Sequence, residues 1–230
     1  MSDPSDNICP NSMGARARQT ELVLKYSGRG GYRPGAGRPR SGRHAVPHRS
    51  RPKVAARHPV HITLRVRDEV WNLRSRRCFR ALARGFAGGK DRFGFRLVHF
   101  SVQGNHLHLI GEAEDEVALA RGMQGLAVRI AKGLNRVMQR RGPVFRERYH
   151  AHVLRSPTEV ARAVAYVLGN YFHHAANWGE RIGRVEVDPY SSSAEHEKAW
   201  TGVDPPLVVE PRTWLLRVGW ERGDAKRRAG

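Results

Sequence analysis

Polar and apolar positions first alternate regularly at His58–Val66 (HPVHITLRV), the period of two of a half-buried strand. Trp71 to Ala87 follows with helical periodicity and is closed by Gly88-Gly89. Phe93–Gln103 and His106–Ala113 read as strands joined by the turn pair Gly104-Asn105, which makes them a hairpin. From Asp115 to about Arg141, Leu119, Met123, Leu126, Ala127, Ile130, Leu134, Val137 and Met138 recur on one face of a long amphipathic helix, closed by Gly142-Pro143. Tyr149–Leu154 is a fourth strand. Ser156-Pro157 supplies an N-cap and a first-turn proline to a helix reaching about Ala175. The order β-α-β-β-α-β-α predicts an α+β fold: a ferredoxin-like split β-α-β antiparallel sheet with an extra C-terminal helix. Further on, Pro211–Trp220 reads as a short helix burying Trp214, Leu215 and Val218.

Charge changes the picture at the N-terminus. The chain has 230 residues, with 41 Lys and Arg against 21 Asp and Glu, a formal charge of +20. No acidic residue occurs from Leu22 to Arg67, and this stretch is rich in Gly, Arg, Pro and His. It has too little apolar surface to offset chain entropy, so residues 1–58 read as a disordered basic arm. Residues 59–178 then form the folded domain and 179–230 an extension. Within the arm, Gly37-Arg38-Pro39-Arg40 is similar to the core of an AT-hook, with Arg38 and Arg40 as minor-groove contacts. The alternative is a solvated tail that meets any phosphate. Both imply a polyanionic partner and salt-sensitive binding. No apolar run approaches the roughly 18–20 residues of a membrane span. Cys9 and Cys78 are too few for a disulfide framework or a structural zinc site. The expectation is a soluble protein of a reducing compartment.

Candidate chemistry begins in the third strand. Alternation puts His106 and His108 on one face and Leu107 and Leu109 on the other. Two neighbouring imidazoles make a bidentate metal site; the alternative is two unrelated surface histidines in a chain with twelve. A histidine-triad hydrolase would need a third His where Ile110 stands. A metallo-β-lactamase would continue Asp-His rather than Ile110-Gly111, and no second His-x-Ser/Thr copy supports a two-histidine phosphoesterase. On the last helix, Val160, Val164, Val167, Leu168 and Tyr171 form the apolar stripe, and Tyr166 sits roughly 140° from its middle. Asn170 lies one turn on, along the same flank. An off-stripe tyrosine and an amide, beside a His pair in a basic protein, suggest a nucleophile and a third metal ligand; an ordinary surface tyrosine is the alternative.

Three segments occur in order: Gly104-Asn105-His106-Leu107-His108-Leu109-Ile110, Arg148-Tyr149-His150-Ala151-His152 and Tyr166-Val167-Leu168-Gly169-Asn170. Over about Pro59–Ala176 the chain thereby resembles the single-tyrosine transposases of the HUH superfamily (insertion-sequence 200/605 type), most closely the REP-associated branch. Asp188-Pro189-Tyr190-Ser191-Ser192-Ser193 is similar to a stretch in related transposases. The resemblance implies nicking and rejoining of single-stranded, hairpin-flanked DNA through a 5′-phosphotyrosine, without ATP. Carried over by position, Tyr166 is the nucleophile, and His106, His108 and Asn170 hold Mg²⁺ or Mn²⁺. The family's Tyr-Ile-His-x-Asn-Pro stands here as Tyr166-Val167-Leu168-Gly169-Asn170-Tyr171, without its His and its Pro. Arg121, Arg129, Lys132 and Arg136 are either DNA-backbone contacts or a solvated helix face. A homodimer, with the tyrosine acting in either subunit, and a prokaryotic, nucleoid-associated cytoplasmic setting are further implications. The altered motif sustains an alternative, a decayed or domesticated transposase that only binds DNA.

Overall fold

The computed structural model describes residues 53–177, 187–193 and 206–229, without the side chains of 170–177 and 226–229. These residues fall in one compact unit that begins at Arg49. Residues 1–52 of the proposed arm, including Arg38 and Arg40, lie outside the described residues, whereas Val54, near its expected end, is buried in the core. In chain order the elements are β1 (Val60–Arg65), α1 (Arg76–Gly89), β2 (Asp91–Arg92), β3 (Phe95–Val102), β4 (His106–Ala113), α2 (Glu116–Val137), β5 (His150–Val153) and α3 (Pro157–Asn177). A π-helical turn at Leu215–Gly219 then leads into α4 (Trp220–Ala229). The sheet order is β2-β3-β4-β1-β5, every pairing antiparallel. The four long strands therefore reproduce the split β-α-β arrangement, and the two-residue β2 was not anticipated.

Alternation builds two cores on the two sheet faces. Val60, Ile62, Leu64, Leu107 and Leu109 point into the larger one, which α1 and α2 close with Phe79, Leu82, Phe86, Leu119, Met123, Leu126, Ile130 and Leu134. Ile110 faces the other way, joined by Val98, which a bulge between Leu97 and His99 frees from the ladder. Val160, Val164 and Val167 of α3 and Leu215 and Leu216 cover these two. Thus Val160, Val164 and Val167 of the expected stripe face the sheet with Leu168 packed beside them, while the Tyr171 side chain lies outside the described residues. Phe95 is fully buried in a slot between β4 and α2 that two glycines open. A Cβ on Gly122 would lie 2.1 Å from Phe95 Cβ, and one on Gly111 2.6 Å from Phe95 Cε2.

Boundaries moved where local hydrogen bonding overrode periodicity. Helix α1 starts at Arg76, not Trp71, because Ser75 caps Cys78 N and Asn72 Oδ1 accepts from Arg74 N, which holds 71–75 as a turn. Helix α2 ends at Val137, not Arg141, since Gln139 adopts a left-handed φ of 51°. Near the C-terminus the expected helix begins later and runs longer. Leu215 is buried as expected, whereas Trp214 and Val218 are exposed (51% and 40%). The wider π-turn carries Leu215, Leu216 and Gly219 inward in their place. Two polar anchors tie this extension to the domain. Buried Glu112 accepts backbone N–H bonds from Arg212 and Thr213. Buried Asp188 forms a bidentate pair with Arg74 at 2.8 and 3.0 Å, and Arg74 lies over the Tyr190 ring.

Because Phe95 cannot retreat from its slot, Gly122→Ala should destabilise the fold by about 1–3 kcal/mol, read as a lower urea midpoint with an unchanged slope.

Candidate functional site

The site forms on the α3 side of the sheet, where the period of two brings polar side chains from adjacent strands together. β1 pairs with β4 so that Thr63 stands opposite His108 and Arg65 opposite His106. β5 places His152 opposite His61 and His150 opposite Thr63. His61, Thr63, His106 and His108 therefore share one face, while their neighbours Ile62, Leu64, Leu107 and Leu109 lie in the larger core.

The two predicted imidazoles converge. The rings of His106 and His108 are 4.8 Å apart and nearly perpendicular. His106 is partly exposed and His108 is 5% exposed. The His106 Nδ1–H donates to Asn105 Oδ1 at 2.8 Å, since a carboxamide oxygen only accepts. Tyr166 reaches the same place from α3. Its ring meets His108 edge-on at 5.1 Å and His61 at 6.0 Å, yet 43% of the residue stays exposed. Its position beside the buried stripe accounts for both facts: Val164 and Val167 hold the helix down while the phenol overhangs the histidines. Asn170 occupies the helix one turn on, and its side chain lies outside the described residues.

His61 and Thr63 were missed by sequence reasoning. Their only signal is the alternation of β1, which puts them opposite the core; that they meet His108 depends on strand pairing. His61 Nε2 and Thr63 Oγ1 each lie 3.3 Å from His108 Nδ1. Burial, with the nearby His152 adding to it, pushes the His61 pKa down to about 4. The ring is thus neutral at physiological pH.

Among the described residues, no group of three His, Cys, Asp or Glu side chains is arranged to hold a metal ion. The donor set that does exist is two imidazoles, one of them oriented by a hydrogen bond at its Nδ1, next to an exposed phenol. That chemistry fits an ion that borrows further ligands from substrate or water.

The four helix cations separate. Lys132 and Arg136 line a shallow basin of about 480 Å³ with Asn135, Gln139, Arg140, Arg141 and Gly142 at the end of α2. The chain leaving this basin runs to the site: Val144 O accepts from Arg67 N, Phe145 bridges to Val66, and Arg146 N donates to Arg65 O, opposite His106. Arg129 instead is half-buried and donates to Gly125 O at 3.3 Å, while Arg121 is exposed near the start of α2, outside the basin. No helix among the described residues is long and apolar enough to cross a membrane.

No known family model matches the sequence, and no curated protein is similar to it. Among solved structures, the chain is similar to a REP-associated tyrosine transposase bound to a REP hairpin, with 16% identity and a TM-score of 0.49 over 73% of this chain and 93% of that one. The reading of the site therefore rests on this chain's own residues.

The depressed His61 pKa has a measurable consequence. Above about pH 6.5 both folded and unfolded chains carry a neutral His61; as pH falls toward 4 only the unfolded chain takes up the proton, so stability falls across that window. In metal-free protein, the loss attributable to His61 should reach about 2–3 kcal/mol by pH 4.5. Urea unfolding at stepped pH values, compared between the native protein and His61→Gln, checks it: the variant should lose less stability on acidification.

Proposed function

We propose that this protein is a DNA strand transferase that nicks and rejoins single-stranded DNA through Tyr166. The observation that carries the reading is the overhang of an exposed phenol on the His106–His108 pair, 5.1 Å from the second ring. His106 and His108 would hold Mg²⁺ or Mn²⁺, with Asn170 as the third protein ligand. Such an ion, when bound, supplies Lewis-acid charge to a phosphodiester.

Tyr166 is the nucleophile. As its Oη bonds to phosphorus, the P–O3′ bond breaks. The phenolic proton passes to solvent and the departing O3′ takes one up, giving a 5′-phosphotyrosine and a free 3′-OH. Attack by a 3′-OH reverses the exchange, forming P–O3′ and releasing Tyr166. One phosphodiester replaces another, so no nucleotide hydrolysis is needed. Lys132 and Arg136, joined by Arg140 and Arg141, would hold the backbone as it leaves the site along the 143–146 segment. The single-stranded, hairpin-bearing form of the substrate and the homodimer stay with the resemblance that suggested them. A second reading, a DNA-binding protein without catalysis, draws on the lack of a third His, Cys, Asp or Glu ligand among the described residues and on Leu168 standing where the resembling family has His.

A labelled hairpin-flanked oligonucleotide incubated with Mn²⁺ and run on a denaturing gel separates the two. Native protein should form a covalent protein–DNA species and Tyr166→Phe none, with the variant's DNA affinity unchanged. Retarded but uncleaved DNA from native protein supports the binder, and an adduct that survives in Tyr166→Phe removes that residue from the chemistry. For the basin, Lys132→Gln/Arg136→Gln/Arg141→Gln should flatten the dependence of log affinity on log salt by about 2, whereas Arg121→Gln should leave the slope alone.

A further inference from the structure

His108 can ligate an ion through Nε2 only while its proton sits on Nδ1. What Nδ1 faces bears on that proton's place, and it faces His61 Nε2 and Thr63 Oγ1, each at 3.3 Å. The His61 and His108 rings stack at 5.4 Å with 28° between their planes, so the contact is held by two adjacent strands. Between nitrogens facing each other at 3.3 Å there is room for one proton. If it belongs to His61 Nε2, His108 accepts it and carries its own proton on Nε2, which blocks coordination. If it belongs to His108 Nδ1, His61 and Thr63 accept it and Nε2 is open.

We propose that His61, with Thr63 beside it, accepts the His108 Nδ1–H and so keeps His108 Nε2 available as a ligand, making His61 a positioning residue of the site. His106 shows the same device in simpler form, with Asn105 Oδ1 as its acceptor at 2.8 Å. Each member of the pair thus has an acceptor behind it, one from its own turn and one from the neighbouring strand. Such partners orient the ring and raise its basicity as a ligand. His61 itself then carries its proton on Nδ1. The inference rests on the reading of His108 as a metal ligand, but the tautomer can be measured without metal, DNA or activity.

Long-range ¹H–¹⁵N correlation spectra of metal-free, ¹⁵N-labelled protein report which nitrogen of each histidine is protonated. The native protein should show His108 protonated at Nδ1. His61→Gln, whose amide oxygen can also accept, should keep that state. His61→Leu should shift His108 toward the Nε2–H form and weaken Mn²⁺ binding, followed by electron paramagnetic resonance of free Mn²⁺, about 10–100-fold. His61→Gln should restore most of that affinity, which a loss of packing alone would not explain. Native His108 protonated at Nε2 overturns the proposal, as does a His61→Leu protein with unchanged tautomer and Mn²⁺ affinity. Should His61→Leu fail to fold, the native and His61→Gln spectra still decide. A native protein with the Nδ1–H tautomer that binds no Mn²⁺ upholds the assignment of the proton and overturns the metal reading alone.

Discussion

The register of β4 between its two neighbours is the constraint on which this molecule turns. Leu107 and Leu109 are each fully buried in the larger core, and they alternate with His106 and His108 on a strand paired along both edges. A slip of one residue would push two imidazoles into a hydrocarbon interior and two leucines out beneath Tyr166. Fully burying a leucine is worth about 1.5–3 kcal/mol, and sinking an unsatisfied polar ring costs a comparable amount. The core therefore aims the histidines, although it touches none of them with its own chemistry.

The second sheet face divides between packing and chemistry along its length. At the Ile110 end it is apolar and closed by α3 and the turn at Leu215–Gly219; at the His106 end it is polar and the phenol overhangs it. One helix serves both ends, because Val160, Val164 and Val167 seat it while Tyr166 projects from its flank. The C-terminal segments matter here: Glu112 holds the start of the π-turn through two backbone N–H groups, and Leu215 and Leu216 then pack against α3. The position of the tyrosine thus draws on residues far beyond its own helix.

The electrostatic character of the site is set by contrast. His61 is kept neutral by burial, while the surroundings toward the end of α2 carry Lys132, Arg136, Arg140, Arg141 and Arg146 with few acids among them. Such a cationic surface favours the approach of a polyanion over that of a small neutral molecule.

Local pattern determined much of this protein. The order of strands and helices, the inward leucines, the shared face of His106 and His108, and the off-stripe placement of Tyr166 were all legible, because periods of 2 and 3.6 residues report which side of an element meets the core. Helix ends were less so: Ser75, Asn72 and Gln139 act through single hydrogen bonds or one dihedral angle, which periodicity does not register. The π-turn at Leu215–Gly219 inverted the expected facing of Trp214 and Val218 because an i→i+5 turn breaks the 3.6 count. Only the tertiary structure could decide that His61 and Thr63 stand against His108, or that Lys132 and Arg136 part company from Arg121 and Arg129. Those relations arise from pairing and packing between elements dozens of residues apart, where the chain's local alternation carries no information about which strand becomes whose neighbour.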